Sequence, residues 1–483
     1  MTEKLIKNGR IITATDDYTA DILIASGIVK MIGLEIAVGE DVEIIDASGL
    51  LVMPGGVDVH THLEAEVGAA KTVDTFETGT MAAAFGGTTT LVDFAQQPHG
   101  GGVIAGLDDW QARAANACVD VGAHMIITTF NDQTLVDIKS VLQNDGVTSF
   151  KMFMVMPGVM MIDDAELYQI MRMTGENGGL SCVHAENGLL IDLLIKETVA
   201  DGRNEILNHP RVHPPGTEGE AVHRAIQIAK LADSPLYVVH VSTQDAVNHI
   251  AEARHDGVSI YAETCPHYLF LTEEEYDKPN NEAAKYTMIP PLRSREHQDA
   301  LWQGLANDDL QIISTDHCPF CLTEQSWGLE HSKALGRESF DQMPNGAPGV
   351  ETRLPLIYDG GVRQGRLSLN RFVQLNSTTP AKLFGLFPRK GTIAVGSDAD
   401  IVLFDPEESW TIKASEHHSR VDYSLFEGHE ITGRVKKVFL RGEMIVDGTE
   451  WLAAPVVGNS SDAVIPAKFK NKGTCLTLFI QAG

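Results

Sequence analysis

The 483 residues contain no run of eighteen apolar residues, so the sequence offers no membrane-spanning helix. The N-terminus, MTEKLIKNGRIITAT, has no basic segment leading into an apolar stretch, which sets aside a secretory signal and makes a cytoplasmic location the expectation. Positive charge is short: 37 Lys and Arg face 66 Asp and Glu, a formal net charge of −29. Without clustered cations a nucleic-acid partner is excluded. Cysteine is scarce. Cys118, Cys182, Cys265, Cys318, Cys321 and Cys475 follow no small-scaffold spacing, so reduced thiols are expected. CPFC at 318–321 has the spacing of a redox pair, but it follows the last of a strand series instead of starting a helix after an early strand. No GxGxxG or P-loop opens a helix, and no GxSxG elbow accompanies the PHGGGV loop at 98–103.

What is present is a change of pattern along the chain. The first 53 residues read as short strands, and a similar set returns in DADIVLFDP, WTIKA and RVKKVFLRGEMIVDG. Lone hairpins are not stable in water, so the two ends are expected to join in one small β-domain. Between them stand eight apolar runs: GVDVHTH, GTTTLVDFA, GAHMIITTF, SFKMFM, GLSCVHAE, SPLYVVHVS, VSIYAETCP and LQIISTDHC. Amphipathic stretches such as DAELYQIMRMTGENG and TQDAVNHIAEARHDG separate them, each ending in a glycine suited to cap a helix. Eight buried strands alternating with helices predict a (β/α)8, TIM-like barrel. The expected division is 1–53 and 389–452 for the β-sandwich, 54–388 for the barrel and 453–483 for a tail of loop-like composition.

Barrel enzymes gather their chemistry at the C-terminal ends of the strands. The first run ends in His60 and His62, which share a face with Asp58 because strand residues two apart point the same way. The fourth contains Lys151, the fifth ends in His184, the sixth in His240, and the eighth in Asp316 and His317. Taken singly, His184 or His240 reads as a hydrogen-bonded core histidine, and Asp316 as a helix N-cap. Taken together, five of eight strands deliver a metal ligand or a charged group to one rim. A divalent metal centre is the reading that accounts for all of them.

Lys151 lies in an otherwise apolar strand, where burial disfavours the ammonium. The neutral amine so favoured can take up carbon dioxide, and the carbamate is an anionic, two-oxygen ligand able to bridge two cations. The alternative is a lysine that snorkels to the rim and pairs with an acid.

These motifs, with VHAEN, STDHCPF, NGAPGVE and PAKLFGLFPRKGTIAVGSDADIVLFDP, resemble the amidohydrolase superfamily, and within it the dihydropyrimidinase and hydantoinase group of cyclic amidases. The resemblance covers residues 3 to 450 and implies a barrel beside a β-sandwich made from both chain ends. It implies two zinc ions: His60, His62 and Asp316 on the more buried one, His184 and His240 on the second, and carboxylated Lys151 between them. A hydroxide bridging the metals attacks the ring carbonyl, Asp316 carries the proton to the departing nitrogen, and a cyclic amide opens to an N-carbamoyl or amido acid. Other divalent metals fit the same ligands. A homotetramer is the family's common assembly.

Three departures bear on the substrate. Met156 stands where relatives of the dihydropyrimidinase type carry a tyrosine whose hydroxyl steadies the oxyanion, and methionine cannot donate that bond. Ile289 replaces a serine before PPLR, and Ala65, Glu66 and Val67 replace a more apolar rim segment. Asn345 in NGAPGVE matches a position whose backbone meets the ring. An allantoinase-like or other amidohydrolase activity is the alternative, and a non-catalytic scaffold of the same fold is a remoter one, since every ligand position keeps a competent side chain.

Overall fold

Each apolar run is flanked by glycine or turn residues and is apolar on both faces, as a parallel sheet covered on both sides requires. In the computed structural model, which describes residues 3–453, these runs form eight strands. They are Gly56–Thr61, Thr88–Gln96, Asp120–Ile126, Ser149–Phe153, Leu180–His184, Leu236–Val238, Ile260–Thr264 and Ile312–Ile313, paired in sequence order and parallel throughout. Helices cover the crossovers. Asp163 opens helix Asp164–Glu176 with a capping box, accepting from Ala165 N and Glu166 N at 2.9 Å while Glu166 reaches back to Asp163 N at 3.1 Å. That helix and Gln244–His255 end where the sequence predicts, at Gly178 (φ +76°) and Gly257 (φ +81°).

The eighth strand is only two residues long, so the ring is closed by other means. Thr61 and His317 form a parallel bridge, and His62 N donates to His317 O at 2.9 Å. Asp58, fully buried, accepts from Thr315 N at 3.2 Å and Thr315 Oγ1 at 2.7 Å. Buried Arg353 spans the same seam, donating to Val57 O at 3.1 Å and Ile313 O at 2.8 Å. Asp58 shares the face of His60 and His62 because it closes the barrel beneath them.

Strands from both chain ends form one nine-stranded sheet with its own core of Ile6, Ile22, Ile24, Val52, Ile401 and Phe439. The two ends meet where Leu51–Pro54 pairs antiparallel with Ile401–Thr411. That long strand joins DADIVLFDP and WTIKA, which the sequence suggests as separate strands. Its register shifts between Asp405 and Ser409 let Pro406 sit where the ladder needs no donor. Sheet and barrel are tied by a buried ionic cluster. Lys390 Nζ lies 2.6 Å from Asp400 and 2.9 Å from Asp398, and it also bonds Asp120 at the start of the third barrel strand, which Arg441 reaches as well. Burial alone would lower the Lys390 ammonium, but the three carboxylates hold it above its usual range. Among the described residues no helix is long and apolar enough to cross a membrane. The tail expected at 453–483 lies, from 454 onward, outside the described residues.

Candidate metal centre

The rim residues named from the sequence come together at one end of the barrel. His60 and His62 have ring centroids 5.2 Å apart, His60 and His240 5.4 Å, and His184 and His240 4.5 Å. Asp316 Oδ1 stands 3.1 Å from His60 Nε2 and 3.2 Å from His62 Nε2. Ligand atoms of His60, His240 and Asp316 all lie within 4.8 Å of one another. Lys151 reaches the same space with its ammonium 4.8 Å from the Phe94 ring and 5.0 Å from the Phe153 ring.

The backbone is bent to bring them there. His240 (φ +38°) and Asp316 (φ +49°) are in the left-handed region, which non-glycine residues seldom occupy, at a cost of about 1–3 kcal/mol each. The first strand carries a register irregularity between Asp58 and Thr61, around His60. A bulge of that kind re-aims a side chain at the rim of a barrel.

Acids behind the ring fix the imidazoles. Glu263 accepts from His60 Nδ1, from Tyr237 Oη at 2.6 Å and from His240 N at 3.2 Å. Glu186 binds His184 Nε2 at 2.7 Å and His213 Nδ1 at 3.0 Å, which leaves His184 Nδ1 for the centre. Asp93 accepts from Thr61 Oγ1 at 2.7 Å, Leu63 N at 3.0 Å and Trp110 Nε1 at 2.9 Å, and so holds the backbone after His62. Burial raises Asp93 to about 6 in spite of these donors. Sequence reading passed over Glu186, Glu263 and Asp93, although HAEN and AETCP place two of them beside strand ends. Glu64, close to the rim in sequence, accepts from Phe76 N at 3.0 Å at the start of helix Phe76–Phe85.

The donor set suits a divalent cation. Asp316 Oδ1 is close to His60 Nε2 but outside hydrogen-bonding geometry, and Nε2 has no hydrogen-bond partner among the described residues; nor has buried His240 Nδ1. Burial works against charging His60, yet Asp316 and Glu263 outweigh it and lift the ring to about 9. The site therefore calls for positive charge at that spot, which a proton or a metal ion can provide. Burial opposes the Asp316 carboxylate, but His60 and His62 hold it well below the usual carboxylate range. Burial draws Lys151 down to about 8 against the pull of Asp316 and Glu263, which raises the share of neutral amine at neutral pH.

Met156 follows the fourth strand at φ +62°, with its carbonyl accepting from the Val159, Met160 and Met161 amides. Its side chain packs in the apolar cluster of Phe94, Ile126 and Phe153 that flanks Lys151. Asn345 precedes Ala347, which bridges His317 and accepts from Cys318 N at 3.0 Å, so that loop runs beside the strand end bearing Asp316. Half-buried Ile289 is linked to the same loop by Gly346 N, which donates to Thr287 O at 3.0 Å. Cys318 and Cys321 are free thiols, and burial raises both, Cys321 to about 12.

A model of the amidohydrolase family matches residues 51–445. A D-hydantoinase of Streptomyces coelicolor is 48% identical over 452 residues, covering 92% of this chain and 95% of that protein. One of Geobacillus stearothermophilus is 46% identical over 456 residues, with 94% and 95% covered. Among solved structures, a dihydropyrimidinase from Brevibacillus agri superposes with a TM-score of 0.90 at 46% identity, covering 93% of this chain and 96% of that one.

Proposed function

The chain belongs to the amidohydrolase family, within its hydantoinase and dihydropyrimidinase group, and from that premise we propose that it hydrolyses cyclic amides. It opens hydantoins, dihydropyrimidines or related cyclic imides to N-carbamoyl or amido acids. The observation that carries this reading is the convergence of His60, His62, Lys151, His184, His240 and Asp316 on one barrel end.

We propose that two divalent ions, zinc by resemblance, would be held by this set: His60, His62, His184, His240 and Asp316, with Lys151 as a carbamate. Such ions, when bound, supply Lewis acidity and lower the pKa of water. The protein's own groups do the rest. Asp316 enters ionised, and its Oδ2 makes no hydrogen bond to a described residue. That oxygen takes a proton from the attacking water and returns it to the ring nitrogen as the C–N bond breaks. Backbone groups at Ile289 and Asn345 orient the ring, and Phe94 and Phe153 keep bulk water from the Lys151 amine. Met156 offers no donor to the carbonyl oxygen, so this site binds its oxyanion with one protein donor fewer than relatives bearing tyrosine. Family likeness also supports a homotetramer and a cytoplasmic location.

The test is turnover of phenylhydantoin, dihydrouracil, phthalimide and allantoin by protein supplied with zinc and bicarbonate, followed as ring-opened product. Zinc-loaded protein that opens none of them refutes the reading. Turnover of allantoin alone transfers it to an allantoinase-like activity.

A further inference from the structure

Lys333 lies in the chain segment after the eighth strand and is only 1% exposed. An ammonium has three protons to place. Lys333 Nζ directs them to Thr287 O at 2.9 Å, Thr287 Oγ1 at 2.8 Å and Pro344 O at 2.9 Å. These acceptors belong to two stretches far apart in sequence. One leads into Ile289 and the other into Asn345, the two positions assigned to the substrate ring.

Other contacts brace the same pair. Thr287 O also accepts from Gly346 N at 3.0 Å, so a single carbonyl joins both stretches and the lysine. Gly346 adopts φ +150°, and a Cβ there would lie 2.3 Å from Cys318 O, an approach only glycine allows. His209 Nε2 donates to Met288 O at 2.8 Å from another side.

Lys333 has no carboxylate partner among the described residues, and burial draws its ammonium down to about 7. A buried cation without a counter-ion is unfavourable, and an apolar side chain of similar volume would fill the space without that penalty. The role specific to lysine here is the placement of carbonyl groups.

We propose that Lys333 is a positioning residue for the substrate, one that fixes the spacing of the Thr287–Ile289 and Pro344–Asn345 stretches and hence the slot that receives the amide edge of the ring. The proposal rests on the cyclic-amide reading. It concerns binding geometry and leaves the metal ligands untouched.

The experiment compares the zinc-loaded wild type with Lys333→Met and Lys333→Ala on hydantoin and dihydrouracil, with zinc content and melting temperature measured alongside. Both variants are expected to keep their zinc and to raise KM about tenfold, with a smaller fall in kcat. A cavity of about 220 Å³ adjoins Lys333, so ethylammonium should partly restore KM in Lys333→Ala where potassium chloride of equal ionic strength does not. Unchanged KM in a folded, zinc-loaded variant overturns the proposal, as does a loss that simply follows zinc content. Should neither variant fold, Thr287→Val keeps the carbonyl and removes the hydroxyl, which accepts from Lys333 and donates to Ala284 O at 2.9 Å; Thr287→Ser, which keeps both bonds, is the control. KM must then rise about threefold in Thr287→Val alone with zinc retained; an unchanged KM overturns the proposal. A wild type inactive on the whole panel defeats the cyclic-amide reading, and this inference with it, through a visibly different result.

Discussion

Glu263 holds His60 from behind: its Oε1 accepts from His60 Nδ1 while Tyr237 Oη donates to its other oxygen at 2.6 Å. That bond fixes the tautomer and turns Nε2 toward Asp316. Glu263→Gln keeps an oxygen for the imidazole but removes the charge that makes the ring a better ligand. Zinc affinity should fall about 10- to 100-fold. Tyr237→Phe should weaken it less. Dialysis against a graded series of chelator concentrations, with zinc counted per chain, checks this, and unchanged retention in Glu263→Gln contradicts the orienting role.

Met156 occupies a left-handed turn beside the Phe94 and Phe153 rings. Met156→Tyr places a phenol where only a thioether now stands. If the oxyanion lacks a donor, kcat on dihydrouracil should rise by roughly 10²-fold, the usual worth of one such hydrogen bond. Zinc content should not move. Equal turnover by both proteins would mean that another group already serves the oxyanion.

The residues that meet at the barrel end were legible because barrel strands expose their ends. A histidine or aspartate closing an apolar run can only face the rim, and runs one, five, six and eight each showed one. Lys151 was legible for a different reason, as a charge in a strand with no polar face. The supporting residues were not. Glu263 and Glu186 stand beside those ends too, but acids near strand ends also cap helices, as Glu64 does for Phe76. Lys333 reads in sequence as an ordinary loop lysine, because its acceptors are backbone carbonyls contributed by distant turns. The strand through Pro406 was hidden by a bulge that proline alone does not announce. Pattern reveals side chains that face a known surface, and misses those whose role depends on which backbone arrives opposite them.

Lys390 bridges three buried carboxylates where the terminal sheet meets the barrel. Lys390→Met removes the cation shared by Asp120, Asp398 and Asp400, leaving Arg441 on Asp120 and Arg389 on Asp398 at 2.9 Å, with no cation on Asp400. Breaking a buried pair in this way typically removes about 3–5 kcal/mol, so the variant should melt about 3–5 °C below the wild type. Its folded fraction should still bind zinc, since the cluster lies away from the ligands. A melting temperature within about half a degree of wild type, equivalent to about 0.5 kcal/mol for a chain of this size, would show that the cluster relaxes when the lysine is removed.

Lys151 offers the sharpest chemical test, because a carbamate and an ammonium differ in charge, in ligand atoms and in dependence on carbon dioxide. The amine sits between two aromatic faces with no hydrogen-bond partner among the described residues, and burial lowers it to about 8. At neutral pH it is thus partly unprotonated, which carbamate formation requires. Metal-free protein prepared without bicarbonate should regain activity only when zinc and bicarbonate are supplied together, and the rate should follow the bicarbonate concentration. Labelled bicarbonate should give a carbamate carbon resonance that vanishes in Lys151→Ala. That variant should be inactive and poor in zinc, and a small carboxylate such as propionate should restore part of both by offering two oxygens in the vacated space. Full reactivation by zinc alone in carbon-dioxide-free buffer would leave Lys151 an ordinary buried amine, and the two cations would then need a different bridge.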